Sequence, residues 1–198
     1  RDIIPIQSVK AKLLEPGYPY LRIINFQAHT TTDFKKALTD LEKQGKIKGL
    51  VVDLRNNPGG LLDQSIKIAD IFIDEGVIVS TKGRIKEQNS IFYARDNSPK
   101  YTFPLVVLVN EGSASASEIV AGALQARKRA IAVGERSFGK GSVQHLIHLT
   151  GHEAAIKLTV AHYRLPDGRI IHRTDQNVHS GSWGVKPDME VHLINEEN

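Results

Sequence analysis

The stretch Leu105-Val106-Val107-Leu108-Val109-Asn110-Glu111-Gly112-Ser113-Ala114-Ser115-Ala116-Ser117-Glu118-Ile119 is the clearest pointer to the architecture of this chain. Its first five residues are apolar without interruption, the pattern of a strand buried on both faces. Small residues follow, and a helix is predicted from about Ser115 to Ala126. Ala130-Ile131-Ala132-Val133 then reads as a second short apolar strand. Strand, helix and strand in this order make a βαβ unit, which joins parallel strands through a helix lying on the sheet.

Outward from this unit the alternation continues. Gly49 to Leu54 is another apolar strand, Arg55-Asn56-Asn57-Pro58-Gly59-Gly60 a tight turn, and Leu61 to Asp74 an amphipathic helix with Leu62, Ile66, Ala69 and Ile73 on one face. Upstream, residues 2–26 read as two extended segments around the turn Glu15-Pro16-Gly17. Thr30-Thr31-Thr32 offers caps for a helix from about Asp33 to Gln44, whose Phe34, Ala37, Leu38 and Leu41 recur at helical spacing. Val77 to Ser80 and Ile91 to Ala94 read as strands, and Val143 to Leu149 with Ala154 to Leu165 as an antiparallel pair. Pro166-Asp167-Gly168 turns into Arg169 to His172, residues 173–184 read as polar loop, and Val191 to Ile194 as a closing strand. The class expected is an α/β core of stacked βαβ units with antiparallel strands at each end.

The 198 residues suit one domain, or one and a small appendage, and 40% hydrophobic with 24% charged content is an ordinary globular balance. The net charge of +4 is modest, and Arg127-Lys128-Arg129 has no interleaved aromatic residues, so a solvated face is favoured over nucleic-acid binding. The absence of cysteine excludes disulfides and thiolate chemistry. No apolar run approaches membrane-spanning length.

Two segments carry candidate chemistry. Ser115 would sit where a buried strand runs into a helix, beyond the carboxyl end of the strand. Its bland reading is a helix cap, since Ser115-x-x-Glu118 fits a capping box, and on spacing alone the cap is favoured. The functional reading is a nucleophile with the Ala116 backbone N–H as an oxyanion donor. Lys140, between Gly139 and Gly141, suggests the partner: a neutral lysine takes the serine proton. That role requires burial against apolar groups such as Phe138. Gln144 shares strand parity with residue 140, but a straight strand separates the two by roughly 13 Å, so they meet only if the glycines bend the chain. Gly59 or Gly60 would supply a second oxyanion donor. Gly134 to Lys140 also matches the G-x-x-x-x-G-K phosphate loop, but Gly141 replaces the magnesium-binding Ser/Thr and a strand pattern, not a helix, follows. His145 and His148 have opposite strand parity, which argues against a metal site, and no cofactor is expected. Trp183 and Tyr163 read as packing residues.

Four stretches together resemble the carboxy-terminal processing (tail-specific) proteases: Val52 to Gly60, Asn110 to Ile119, Gly134 to Gln144 and Thr159 to Arg169. The resemblance implies Ser115 as nucleophile, Lys140 as base, Gln144 as the third member of a Ser/Lys/Gln triad, and oxyanion donors at Ala116 and a glycine of the P-G-G turn. It implies a crotonase/Clp-protease-like core. Some members carry an acidic residue eleven after the serine; here that position is Ala126. Members usually carry a PDZ domain, which nothing here resembles. The organisation expected is one protease core over 1–198: N-terminal strands over 1–26 following a missing upstream PDZ domain, the core over 27–172, and a C-terminal segment over 173–198. Residues 173–184 are longer and more polar than the usual family link before Gly184-Val185-Lys186-Pro187-Asp188.

The function the resemblance implies is a serine endopeptidase cutting near protein C-termini, with an extended protein or peptide substrate, an extracytoplasmic (periplasmic or cell-envelope) setting, and homo-oligomerisation left open. Two alternatives stand beside it: a non-catalytic peptide-binding core and a crotonase-like acyl-CoA enzyme.

Overall fold

The computed structural model describes residues 7–95, 101–149 and 154–192. Strands β1 (Val9–Glu15) and β2 (Tyr18–Ile23) form the antiparallel hairpin expected around Pro16-Gly17. Helix α1 (Thr30–Glu42) follows; the threonines predicted as caps are its first turn. Thr30 Oγ1 instead accepts from the Gln27 N–H and donates to the Asn25 carbonyl, pinning the entry to the helix.

Strand β3 (Leu50–Asp53), helix α2 (Leu62–Asp70), β4 (Val77–Gly83), a 3₁₀ turn at Lys86–Gln88 and β5 (Ser90–Tyr93) come next. The decisive unit is β6 (Leu105–Val109), α3 (Ala116–Ala126) and β7 (Ile131–Gly134). Strands β8 (Ser142–His148) and β9 (Ala155–Arg164) pair antiparallel, and Val160 is an extra residue opposite the Val143–Gln144 step. Where the sequence reads as loop, Thr174 caps a short helix α4 (Asp175–Val178). The closing strand β10 falls at Met189–Glu190, earlier than predicted, because it pairs with the end of β7. Of the predicted closing strand, Leu193 and Ile194 lie outside the described residues.

These strands make two sheets. One has the order β1-β2-β3-β6-β7-β10, parallel from β2 onward; the other, β5-β4-β9-β8, is antiparallel throughout. Helix α3 packs against α2 and also contacts β7 of the first sheet and β4 of the second. This is why residues Ala116 to Leu124 are buried all round, where a surface helix would show one polar face. The core unites both sheets through Leu21, Val52, Val107, Ile78, Ile119 and Leu124.

The basic run 127–129 is more than a solvated face. Arg127 donates to the Val77 carbonyl, and Arg129 to the Tyr101 carbonyl while stacking on Phe72. No helix among the described residues is long and apolar enough to cross a membrane.

Candidate active site

The loop from β6 into α3 carries three serines with different fates. Ser113 and Ser117 are fully buried. Ser113 Oγ donates to the Leu54 carbonyl (2.8 Å) and Ser117 Oγ to the Asn57 carbonyl (2.9 Å), so both stitch this loop to the turn after β3. Ser115 is half-buried, and its hydroxyl makes no capping hydrogen bond. Its backbone sits at φ 56°, ψ −113°, a region that side chains other than glycine's rarely occupy. Such strain persists only where the surroundings over-determine it.

Those surroundings are specific. The Ser115 N–H donates to Glu118 Oε2 at 2.8 Å. The Ala114 N–H donates to the Asn57 carbonyl. Gly59 lies directly against the strained residue: a Cβ there would fall 2.8 Å from the Ala114 carbonyl oxygen and from Ser115 Cβ. Only glycine permits that approach, and at φ +102° only glycine adopts it readily.

Glu118 also fastens the lysine loop. Its Oε2 accepts the Lys140 N–H (2.8 Å) and its Oε1 accepts the Gly139 N–H (2.7 Å) and the Ser137 hydroxyl (2.5 Å). The carboxylate is wholly inaccessible to solvent. Burial pushes its pKa up, and the four donors push it back toward the ionised form without fully offsetting burial. One buried acid therefore sets the relative position of the Ser115 and Lys140 backbones. A further bond, Phe138 N–H to the Ser113 carbonyl, ties the same two loops. On the other side the Arg173 N–H donates to the Gly139 carbonyl and the Tyr163 N–H to the Gly141 carbonyl.

A serine on a strained elbow with a lysine loop fixed to it is the framework the four sequence stretches point to. Residues 17–191 match the profile of peptidase family S41. The chain belongs to this family. It is 45% identical over 194 residues to a carboxy-terminal-processing protease of Bartonella bacilliformis, spanning 96% of this chain and 42% of that protein. It is 44% identical over 195 residues to a carboxyl-terminal-processing protease of Synechocystis, spanning 96% and 43%. Among solved structures, the photosystem II D1 C-terminal processing protease superposes with a TM-score of 0.81 at 36% identity, over 96% of this chain and 49% of that one. The chain thus spans less than half the length of these relatives. The fold is the Clp-protease-like core of S41 peptidases.

Within this S41 core the predicted residues are placed unequally. The Ala116 N–H, at the first turn of α3, has no partner among the described residues. The Gly59 N–H is occupied, donating to Asn57 Oδ1 (2.9 Å), whereas the Gly60 N–H has no partner there. Of the two glycines, Gly60 is therefore the one with a donor to spare. Lys140 is exposed, as is Phe138, so the apolar burial that a neutral lysine requires is not present in the free protein. Gln144 is exposed on β8 opposite Thr159, and no hydrogen bond joins it to Lys140. Ala126 is the last residue of α3.

Two residues beyond those singled out from sequence hold the site. Asn57 is fully buried; its Nδ2 donates to the Ile23 carbonyl, its Oδ1 accepts from Gly59, and its carbonyl receives Ala114 and Ser117. Glu118 was legible only as half of a capping box. An acid three residues into a helix whose other residues, Ser117 and Gln125 apart, are all apolar was the available signal. Beneath the turn, buried Asp53 accepts from Arg55 N (2.9 Å), Nε (3.0 Å) and Nη2 (2.8 Å) and from the Tyr20 hydroxyl (2.5 Å). Burial raises its pKa, but these donors outweigh that and hold the carboxyl below its usual range.

Proposed function

We propose that this chain is the catalytic core of a serine peptidase that cuts polypeptides near their C-termini. The observation that carries the reading is the Ser115 elbow: a strained residue whose hydroxyl has no hydrogen bond among the described residues, bound through Glu118 to the loop bearing Lys140. Ser115 Oγ attacks the scissile carbonyl as Lys140 takes its proton. The tetrahedral oxyanion lies between the N–H groups of Ala116 and Gly60. Lys140 then returns the proton to the leaving amine, water hydrolyses the acyl-enzyme, and Gln144 orients the lysine.

The exposure of Phe138 and Lys140 fits a site completed by its substrate. A polypeptide segment laid over both excludes water from the amine and favours its neutral form. The names of the relatives support a processing role on protein tails, and an extracytoplasmic setting accords with that role.

The test is mass spectrometry of an unfolded protein with an apolar tail after incubation with the parent chain and with Ser115→Ala. Fragments made by the parent and absent with the variant are expected. Identical fragments from both would overturn the reading.

A further inference from the structure

A groove of about 450 Å³ opens beside Lys140, within the usual size of a ligand pocket. Phe138 and Val178 give it apolar walls, Lys140 and Arg173 basic groups, and Asp175 one acid. Its outer wall belongs to residues 173–184, the segment longer than the usual family link.

That segment is built to hold Arg173. The Trp183 ring lies under two guanidinium groups, those of Arg136 at 4.9 Å and Arg173 at 4.6 Å. Arg136 is spent on the carbonyls of Gly181 (2.8 Å) and Trp183 (2.7 Å). The Arg173 guanidinium has no hydrogen bond or ion pair among the described residues; its fixed contact is the Trp183 face. Its main chain is anchored to the lysine turn through the Gly139 carbonyl, and Asn177 Nδ2 donates to the neighbouring His172 carbonyl (2.7 Å). A planar fork held by stacking, with its donors free, suits bidentate carboxylate binding.

Resting on the function proposed above, we infer that this groove receives the free C-terminal carboxylate of the segment released by cleavage, with Arg173 as its principal contact. The direction follows from the chemistry. Lys140 delivers a proton to the leaving amine, so the released segment begins at Lys140 and continues into the space the lysine lines. A short tail then ends within reach of Arg173. Asp175 opposes an anion there, so its removal strengthens the preference.

The experiment uses three peptides matched to the cleavage site mapped by mass spectrometry: one with a free carboxylate a few residues beyond the cut, one amidated, and one amidated with a terminal Glu side chain. For the parent chain, kcat/KM for the free acid exceeds that for the amide by about 3- to 10-fold at low salt, and the ratio shrinks with ionic strength. Arg173→Gln brings the ratio to about one, Arg173→Lys retains part of it, and Asp175→Asn raises it. A parent ratio of one, or a ratio that survives Arg173→Gln, overturns the inference. An amidated Glu peptide as good as the free acid overturns the assignment to the chain terminus. If the parent cleaves nothing, the function above fails, and anisotropy of the same labelled peptides on Ser115→Ala decides the groove by itself: equal affinity for acid and amide overturns it, and an Arg173-dependent preference for the acid supports it.

Discussion

The elbow at Ser115 and the loop at Lys140 share one carboxylate but differ in everything around it. The elbow is enclosed by α3, the P-G-G turn and Glu118, and each buried polar side chain described on it has a partner. The lysine loop is fixed by its backbone and by the Ser137 hydroxyl, while the Lys140 side chain stands in solvent. The contrast separates what the fold must prepare from what the substrate can supply. A strained backbone needs a rigid frame before substrate arrives. A lysine needs only to be near, provided that binding removes its water.

The sharpest test is removal of each group. Ser115→Ala and Lys140→Ala should each lower turnover by about 10⁴-fold or more. Lys140→Ala should leave the melting temperature nearly unchanged, because the side chain is exposed. At position 115 the strain gives a second readout: Ser115→Gly should be about 1 kcal/mol more stable than Ser115→Ala, since glycine accepts φ 56° without cost. Equal stability of the two, by denaturant unfolding, would mean that the elbow is not strained and would remove half of the comparison.

Glu118 comes next, because it joins the two regions. In Glu118→Gln an NH₂ group replaces one acceptor oxygen. It must face either the Ser115 and Lys140 N–H groups or the Gly139 N–H and the Ser137 hydroxyl, leaving fixed donors unpaired. Turnover should fall by about 10²-fold, and stability by about 2–3 kcal/mol. Chemical denaturation beside steady-state kinetics checks both. A variant with full activity would show that the lysine loop does not depend on this carboxylate.

Asp53 tests whether the frame of the elbow reaches as far as the β3 terminus. Its folded pKa lies below the usual range, so its stabilisation is present at pH values above about 4 and is lost as pH falls through the folded value. Asp53→Asn should destabilise the protein by about 2–3 kcal/mol at neutral pH, since a buried acceptor becomes a donor facing Arg55 and Tyr20. The gap between parent and variant should narrow as pH drops below about 4. A gap that is constant with pH, followed by thermal melts, would mean that Asp53 contributes by shape and not by charge.

The same contrast explains what was legible in the sequence. The βαβ units, the P-G-G turn and Ser115 were readable because apolar periodicity and glycine spacing are local signals. Asn57 and Glu118 were not, because their value lies in contacts with residues far away in sequence, and locally they look like a turn residue and a cap. The short helix at Asp175–Val178 escaped because its four residues carry no apolar periodicity and only a Thr174 cap announces it. The exposure of Lys140 was hidden for a different reason: the base role proposed for it calls for burial, and the free fold does not provide it.

Gln144 gives the smallest expected effect and bears most directly on the lysine side of the comparison. It is exposed on β8, with no bond to Lys140 in the free protein. If it orients the lysine, it does so only when a bound polypeptide brings the two together. Gln144→Ala should then lower kcat by about 3- to 10-fold with KM and melting temperature little changed, the size of one net hydrogen bond. A loss near 10³-fold would mean that substrate draws Gln144 and Lys140 into a tight pair, so that the lysine side becomes as ordered as the elbow. No loss at all would reduce the machinery to Ser115 and Lys140, with orientation left to the bonds that fix the lysine loop to Glu118 and Ser113.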